Sequence, residues 1–156
     1  MNTSAGTIVS IHTAATAGTP LGSVDAVRAV PGRGLEGDRH FERQDKSTRK
    51  RGEGRDITLI EIEAIEALKR DFGVDLSPGD SRRNVVTRGI PLNHLVGREF
   101  LVGNVRLHGV QLCEPCGHLA KMTNKEVMRG LVHRGGLNCD ILSEGVIRVG
   151  DAIAIL

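Results

Sequence analysis

Val105-Arg106-Leu107-His108-Gly109-Val110-Gln111-Leu112-Cys113 carries the clearest strand pattern in the chain. Val105 and Leu107 fall on one face and Arg106 and His108 on the other, the period-two alternation of a pleated strand. After Gly109 the alternation resumes in the opposite phase, with Val110 and Leu112 on one face and Gln111 and Cys113 on the other. A phase slip at a glycine predicts a β-bulge. Pro115 has no N–H to give to a ladder, so the strand should stop near Glu114. Cys116 then follows just past a strand end, on a turn, where a thiol can be exposed and still be held by rigid structure. Upstream, Glu99–Val102 reads as a partner strand, and Gly103-Asn104 between the two runs is a hairpin signal.

Outward from this hairpin, composition points the same way. The chain has 156 residues, 39% hydrophobic but only 2% aromatic, with no Trp, no Tyr and three Phe. Its core must be aliphatic, and Val and Ile favour strands. Twenty glycines and five prolines imply many turns and short strands. Thr7–His12 and Val24–Val30 read as the first strands, followed by a glycine-rich loop, Pro31–Gly37. Phe41–Arg55 is a basic charge run without an aliphatic residue, expected to be a loop. Its sharper reading is a lid that contacts an anionic ligand. Thr58 with Glu61 forms a capping box that opens a helix over about Leu59 to Phe72. Ile60, Ala64, Ile65, Leu68 and Phe72 form its buried stripe, and Gly73 is its stop. Val85–Thr87 is a short strand and Ile90–Val96 a helical turn. Thr123 with Glu126 opens a second short helix, to about Arg129. Leu137–Ser143, Val146–Val149 and Ala152–Leu156 close the chain as strands.

Few of these strands are separated by helices of crossover length. The expected fold is mainly β with a few helices (α+β), a barrel or curled sheet of mostly antiparallel strands. The length suits one domain over residues 1–156.

Several function classes are disfavoured. A net charge of +2 with almost no aromatics does not suit a nucleic-acid reader. No apolar run approaches the roughly 20 residues of a membrane span, and Met1–Gly6 lacks the plan of a signal peptide. Three cysteines, two of them in C-x-x-C, do not suit a disulfide-stapled secreted domain of this length. A soluble cytoplasmic protein with reduced thiols is expected. No P-loop, dinucleotide fingerprint, H-E-x-x-H or G-x-S-x-G is present.

Three chemistries fit the Cys113–His118 stretch. In the first, Cys116 is a sulfur nucleophile whose thiolate is favoured by nearby cations. In the second, Cys113, Cys116 and His118, with Cys139 or His133, bind zinc, although the second half of the site is not a paired motif. In the third, Cys113 and Cys116 form a redox dithiol, which would ordinarily follow a strand in a βαβ setting. Cys139, in the apolar run Leu137–Leu142, reads as core, and Cys113 as an ordinary packing residue. Arg82, Arg83 and Asn84 precede a strand at a sheet end, and guanidinium groups suit oxyanions. His133-Arg134 adds cations beside Gly135-Gly136, which let backbone approach a ligand. Each alone is a solvated surface charge; together with an exposed thiol they suggest a site for an anionic, sulfur-bearing ligand.

With these motifs in this order, the chain resembles the MOSC family, the domain named for the C-terminal part of molybdenum cofactor sulfurase. Gly34-Leu35-Glu36-Gly37-Asp38-Arg39-His40 looks like its early signature. Arg82-Arg83-Asn84-Val85-Val86 is similar to its Arg-Arg-Asn segment, and Pro115-Cys116 to its Pro-Cys pair. Gly135-Gly136-Leu137 and Glu144–Asp151 resemble its closing segment. The resemblance implies a MOSC-type β-barrel. It implies that Cys116 carries or receives sulfur, as a persulfide, in a sulfur carrier or small molybdoenzyme. It implies the molybdenum cofactor (molybdopterin), an anionic phosphorylated pterin, as ligand. His40, Arg82, Arg83, Asn84, His133 and Arg134 are the implied cofactor-binding positions. In multidomain relatives a pyridoxal phosphate domain supplies the sulfur; here the implied donor is a partner, a cysteine desulfurase. The alternatives are a non-catalytic cofactor carrier and a zinc-stabilised structural domain using Cys113 and Cys116.

Overall fold

The computed structural model describes residues 3–16, 19–39, 41, 54, 56–115, 119 and 125–156. The strands among them are β1 (Thr3–Thr13), β2 (Gly22–Val24), β3 (Ala26–Val30), β4 (Gly34–Leu35), β5 (Ile57–Glu61) and β6 (Val85–Arg88). They continue with β7 (Glu99–Val102), β8 (Val105–Leu112), β9 (Leu137–Ile141), β10 (Gly145–Arg148) and β11 (Ala152–Ile155). Two α-helices are described, α1 (Ile62–Phe72) and α2 (Glu126–Gly130), with 3-10 turns at Pro78–Ser81 and Leu92–Leu95.

Seven strands close into a barrel in the order β1-β11-β7-β8-β9-β5-β6 and back to β1, with β2 added on β1. The mainly β fold of mostly antiparallel strands is the one expected. A closed ring with an odd number of strands cannot alternate direction all the way round. One neighbouring pair must run parallel, and that pair is β5–β6. A parallel pair needs a crossover, and α1 provides it. The three-stranded sheet β10-β3-β4 lies beside the barrel. Its Val27, Ala29, Leu35 and Ile147 join the barrel core, around Ile11, Leu59, Phe100, Leu107, Leu137 and Ile153. A second cluster, including Ala64, Ile65 and Leu68 of α1 and Val127 of α2, packs against Ile60 and Val86. At roughly 25 cal/mol per Å² of buried apolar surface, these aliphatic clusters are the main source of stability.

The bulge falls where the phase slip predicts it. β8 pairs with β9 as Gly109↔Cys139 and then Gln111↔Asn138, so the register shifts between Gly109 and Gln111. The Gly103-Asn104 turn joins β7 and β8, whose last facing pair is Val102↔Val105.

Elsewhere the structure corrects the expectations. Ile57–Glu61 is a strand rather than the start of a helix. α1 begins at Ile62, with Glu61 as an N-cap that makes no side-chain capping bond. The apolar run Ile57–Ile60 fits either period, and pairing with both β6 and β9 decides for the strand. Thr58 does not cap; its hydroxyl lies 3.2 Å from Asn84 Oδ1. Gly73 does end α1, at φ 69, with its N–H donated to the last-turn carbonyls. The expected strand Val24–Val30 is two, broken at Asp25, because β2 pairs with β1 and β3 with β10. Thr123 lies outside the described residues, and Lys125 is the N-cap of α2. Most of the 41–55 run also lies outside them.

Cys139 lies in the barrel core, fully buried, as its apolar run implies. Burial, with Asp140 beside it, pushes the thiol well above its ordinary range. Iodoacetamide at pH 8 should leave Cys139 unlabelled in the folded protein and label it fully in denaturant. Labelling at native rates matching Cys113 would refute this placement.

Candidate functional site at the end of strand β8

The ladder between β8 and β9 runs one residue past the strand: the Cys113 N–H donates to the Gly136 carbonyl at 2.7 Å. A side chain at Gly135 would run into the Cys113 carbonyl, and one at Gly136, where φ is 121, into that of Leu59. The two glycines thus let the 133–136 loop lie flush on the Cys113-Glu114-Pro115 backbone.

Arg83 ties this arrangement together. Only 8% exposed, it donates Nε–H to the Gly135 carbonyl at 2.7 Å. Nη2 reaches the carbonyls of Cys113 at 3.2 Å and Glu114 at 3.4 Å, and Nη1 that of Ser81 at 3.4 Å. All four acceptors are main-chain carbonyls. A buried cation is tolerated because charge-assisted bonds replace its water, and its positive charge is retained beside the strand end.

Glu114 projects on the exposed side of the same turn. Its Oε1 accepts the His133 N–H at 2.7 Å, and its Oε2 lies 2.7 Å from His133 Nδ1. The backbone N–H of His133, with its ring, holds the Glu114 carboxyl below its usual range. Asn93, on the 92–95 turn, donates Nδ2–H to the His133 carbonyl at 2.7 Å. His133 has φ 60, a left-handed conformation uncommon for a non-glycine residue.

The remaining candidates are placed apart. Asn84, 1% exposed, spends its amide internally. Nδ2–H donates to the His12 carbonyl at 3.2 Å, and Oδ1 accepts the Thr58 N–H at 3.2 Å. It pins β6 between β1 and β5. Arg82, at φ 61, extends to the Thr19 carbonyl at 2.7 Å. Burial pushes its guanidinium pKa down, the neighbouring Arg39 adds to this, and Asp38 opposes it. Asp38 is 1% exposed; its Oδ1 accepts the Ala14 N–H at 3.0 Å, while its buried Oδ2 has no hydrogen-bond partner among the described residues. Arg134 is exposed and its charge acts on Glu61 and Asp71. Cys116, His118 and His40 lie outside the described residues. Of the two later candidates for a zinc ligand, Cys139 is in the core and His133 directs Nδ1 at Glu114.

Sequence reasoning did not single out Glu114 or Asn93 as site residues, and it read Glu61 only as the partner of Thr58 in a capping box. The signal for Glu114 was its place before Pro115, because a residue before proline is held extended and its side chain is aimed. Glu61 accepts the Leu92 N–H at 3.2 Å. Its burial raises the carboxyl pKa; Glu63 adds to this, while the Leu92 N–H, Arg134 and His94 oppose it. A carboxyl whose pKa is raised by folding favours the fold when protonated, and that contribution is lost as pH rises through the folded value. Glu61→Gln should therefore raise the urea midpoint at pH 7 and match wild type near pH 4. An equal or lower midpoint at pH 7 would contradict this.

The family model for the MOSC domain matches residues 40–154. The chain belongs to the MOSC domain family. That family is associated with binding of the molybdenum cofactor. This MOSC domain is similar in fold to the YuaD protein of Bacillus subtilis. The TM-score is 0.80 at 18% identity, over 99% of this chain and 98% of the other. YiiM of Geobacillus stearothermophilus superposes with a TM-score of 0.67 at 14% identity, over 100% of this chain and 75% of that one. For YiiM of Escherichia coli the values are 0.66, 16%, 100% and 70%. No curated protein matches this MOSC domain in sequence. No described helix is long and apolar enough to cross a membrane.

Proposed function

We propose that this MOSC domain binds the molybdenum cofactor and handles sulfur through Cys116, the residue after Pro115. The observation that supports this most is Arg83. Its guanidinium anchors three carbonyls at Gly135 and Cys113-Glu114, and among the described residues its partners are carbonyls rather than carboxylates, so it brings a positive charge to the segment that leads into Cys116. A cation near a thiol favours the thiolate, the form that attacks sulfur.

The donor set suits a phosphorylated, anionic ligand. After burial, the charge of Arg39 is the next cause that disfavours the charged form of Arg82, a repulsion that an oxyanion beside Arg82 would relieve. Bidentate guanidinium contacts are the usual means of holding phosphate. Arg82 and Arg39 would hold the phosphate, with Arg134 available on the 133–136 loop. Arg83 and Asn84 act beneath them, fixing the backbone rather than touching the ligand. When bound, the cofactor supplies a molybdenum centre that exchanges sulfur. The chain's own part is nucleophilic. The Cys116 thiolate attacks the outer sulfur of a donor persulfide, the S–S bond breaks, and the donor leaves as its thiolate. Cys116 is then the persulfide. The donor in this reading is a cysteine desulfurase, and the setting is cytoplasmic, where the thiol stays reduced.

Mass spectrometry of the native protein tests this. A mass increment of one sulfur on the Cys116 peptide, removed by reductant and absent in Cys116→Ser, is the expected result. An increment on Cys139 instead, or none after incubation with a cysteine desulfurase and cysteine, would overturn the reading.

A further inference from the structure

Four buried polar side chains, His12, Ser81, Arg83 and Asn84, gather where β1 passes the 78–82 turn. His12 is the one among them that changes charge near neutral pH, and it is 6% exposed. Its main chain is locked to Asn84. Its N–H donates to the Asn84 carbonyl at 2.6 Å, and its carbonyl accepts from Asn84 Nδ2 at 3.2 Å. Its ring lies against Gly79: a β-carbon on that glycine would stand 3.2 Å from Nδ1 and 3.6 Å from Cε1. The turn seated on this contact is closed by two bonds. The Arg82 N–H donates to the Gly79 carbonyl at 3.1 Å, and the Ser81 hydroxyl to the Pro78 carbonyl at 2.7 Å. Both arginines leave from this turn. Arg82 reaches the Thr19 carbonyl, and Arg83 those of Gly135, Cys113 and Glu114.

The ring has one hydrogen-bond partner among the described residues, Ser10 Oγ, 2.8 Å from Nε2. An imidazolium carries two N–H donors. Protonation in place would bury a charge and leave one donor without an acceptor, which is costly. The charged groups on the surrounding elements do not offset this. β1 and β2 hold no Asp, Glu, Lys or Arg, and Ser23 is the residue opposite His12 on β2. On β6 the charged residue is Arg88, which pairs with Thr7 at the far end. On the turn Asp80 is exposed, while Arg82 and Arg83 are like charges. Asp38, beyond Ala14, gives Oδ1 to the Ala14 N–H and to Arg39. Burial pushes the His12 pKa below its ordinary value of 6.5. For a base shifted in this direction, the stabilisation is complete above the unfolded value and is lost as pH falls through the folded one.

We propose that His12 is an acid-sensitive latch on the 78–82 turn. In its neutral state the ring seats the turn on β1 and so holds Arg82 and Arg83 in place. Proton uptake favours the state in which the turn has lifted and the ring is solvated. Two contacts then fail together. Arg82 leaves the Thr19 carbonyl, and Arg83 loses the Ser81 carbonyl that steadies its Nη1. His12 is a positioning residue, since it touches the turn. Loss of phosphate binding in acid rests on the reading of Arg82 as a phosphate contact; the latch itself needs neither that reading nor Cys116.

The test is amide hydrogen exchange followed by NMR from about pH 7.5 to 4.5, corrected for the intrinsic pH dependence of exchange. Wild type is compared with His12→Gln, in which the side chain keeps an amide nitrogen for Ser10 and takes up no proton. In wild type, protection of the Arg82 amide should fall about tenfold per pH unit below about pH 6.5, the dependence for one proton taken up on opening. The fall should level off where the titration of the His12 ring itself is complete. In His12→Gln, protection should stay flat. At every pH the Arg82 amide should be protected about tenfold less, or weaker still, than the Gly109 amide, which bonds to the Arg98 carbonyl. Equal protection at the two would mean that the turn opens only with the whole fold, and overturns the latch. So does a flat wild-type profile, or the same fall in both proteins. If His12→Gln does not fold, wild type still decides, because a fall that continues past the ring titration also overturns it. These amides report neither on Cys116 nor on bound phosphate. An absent persulfide therefore removes the sulfur reading and leaves the latch to this assay.

Discussion

Arg83→Met should cost about 3–5 kcal/mol of unfolding free energy, the range seen when one partner of a buried charged interaction is removed. Methionine fills the space but donates nothing. The carbonyls of Gly135, Cys113, Glu114 and Ser81 would lose bonds of 2.7–3.4 Å in a place where water does not readily replace them. Urea denaturation, compared at constant m-value, reads the loss. Arg83→Lys should recover only part of it. An ammonium is a point donor, whereas the guanidinium fork reaches three segments at once. A loss under about 1 kcal/mol for Arg83→Met would mean that these carbonyls find other donors, and that Arg83 does not hold the β8 turn. The same variant should disorganise the Glu114–His133 contact, because Glu114 is fixed through its carbonyl as well as its carboxylate.

Arg83 also shows where sequence reading stops. An Arg-Arg-Asn run beside a strand offers three cations or polar groups, and nothing local says which faces outward. Arg83 turns inward because its acceptors lie 52 and 30 residues further on, at Gly135 and Cys113. Arg82 turns away because a left-handed backbone redirects it toward Thr19. Asn84 was grouped with them as a ligand contact, yet its bonds to Thr58 and His12 join three barrel strands. β5 escaped notice for a related reason. Its apolar run is neutral between helix and strand, and its two neighbours come from later in the chain. By contrast, β8, its bulge and the hairpin turn were legible, because alternation, a glycine slip and a Gly-Asn pair are local signals. The core position of Cys139 was legible from the apolar run around it. The barrel followed from the count of short strands and from the MOSC resemblance, but its closure through one parallel pair did not.

Gly109→Ala is the second large effect, about 3 kcal/mol of destabilisation, at the upper end of the range for overpacking a core. Gly109 is pressed between layers. Its N–H donates to the Arg98 carbonyl at 3.0 Å, and its carbonyl accepts from Gly97 at 2.8 Å. A β-carbon there would overlap the Leu95 carbonyl oxygen and stand 3.3 Å from Leu137 Cδ2. Neither neighbour can retreat, since Leu95 and Leu137 are both fully buried. For a domain of this size the melting temperature should fall by about 10 °C. Gly73→Ala separates the clash from loss of glycine as such. At φ 69 with nothing near its β-carbon, that position should lose only about 1 kcal/mol, the left-handed penalty. Equal losses in the two variants would argue that no clash exists at Gly109. The consequence extends to the site, because the bulge sets the phase of everything after it. With the slip in place, Leu112 faces Leu137 and the Cys113 N–H meets the Gly136 carbonyl. If the strand escaped the clash by straightening, each later residue would turn to the opposite face. Glu114 would then point away from His133. Gly109→Ala that still folds should therefore lose the Glu114–His133 contact, read as a changed chemical shift of the His133 ring and amide, even though it touches neither residue.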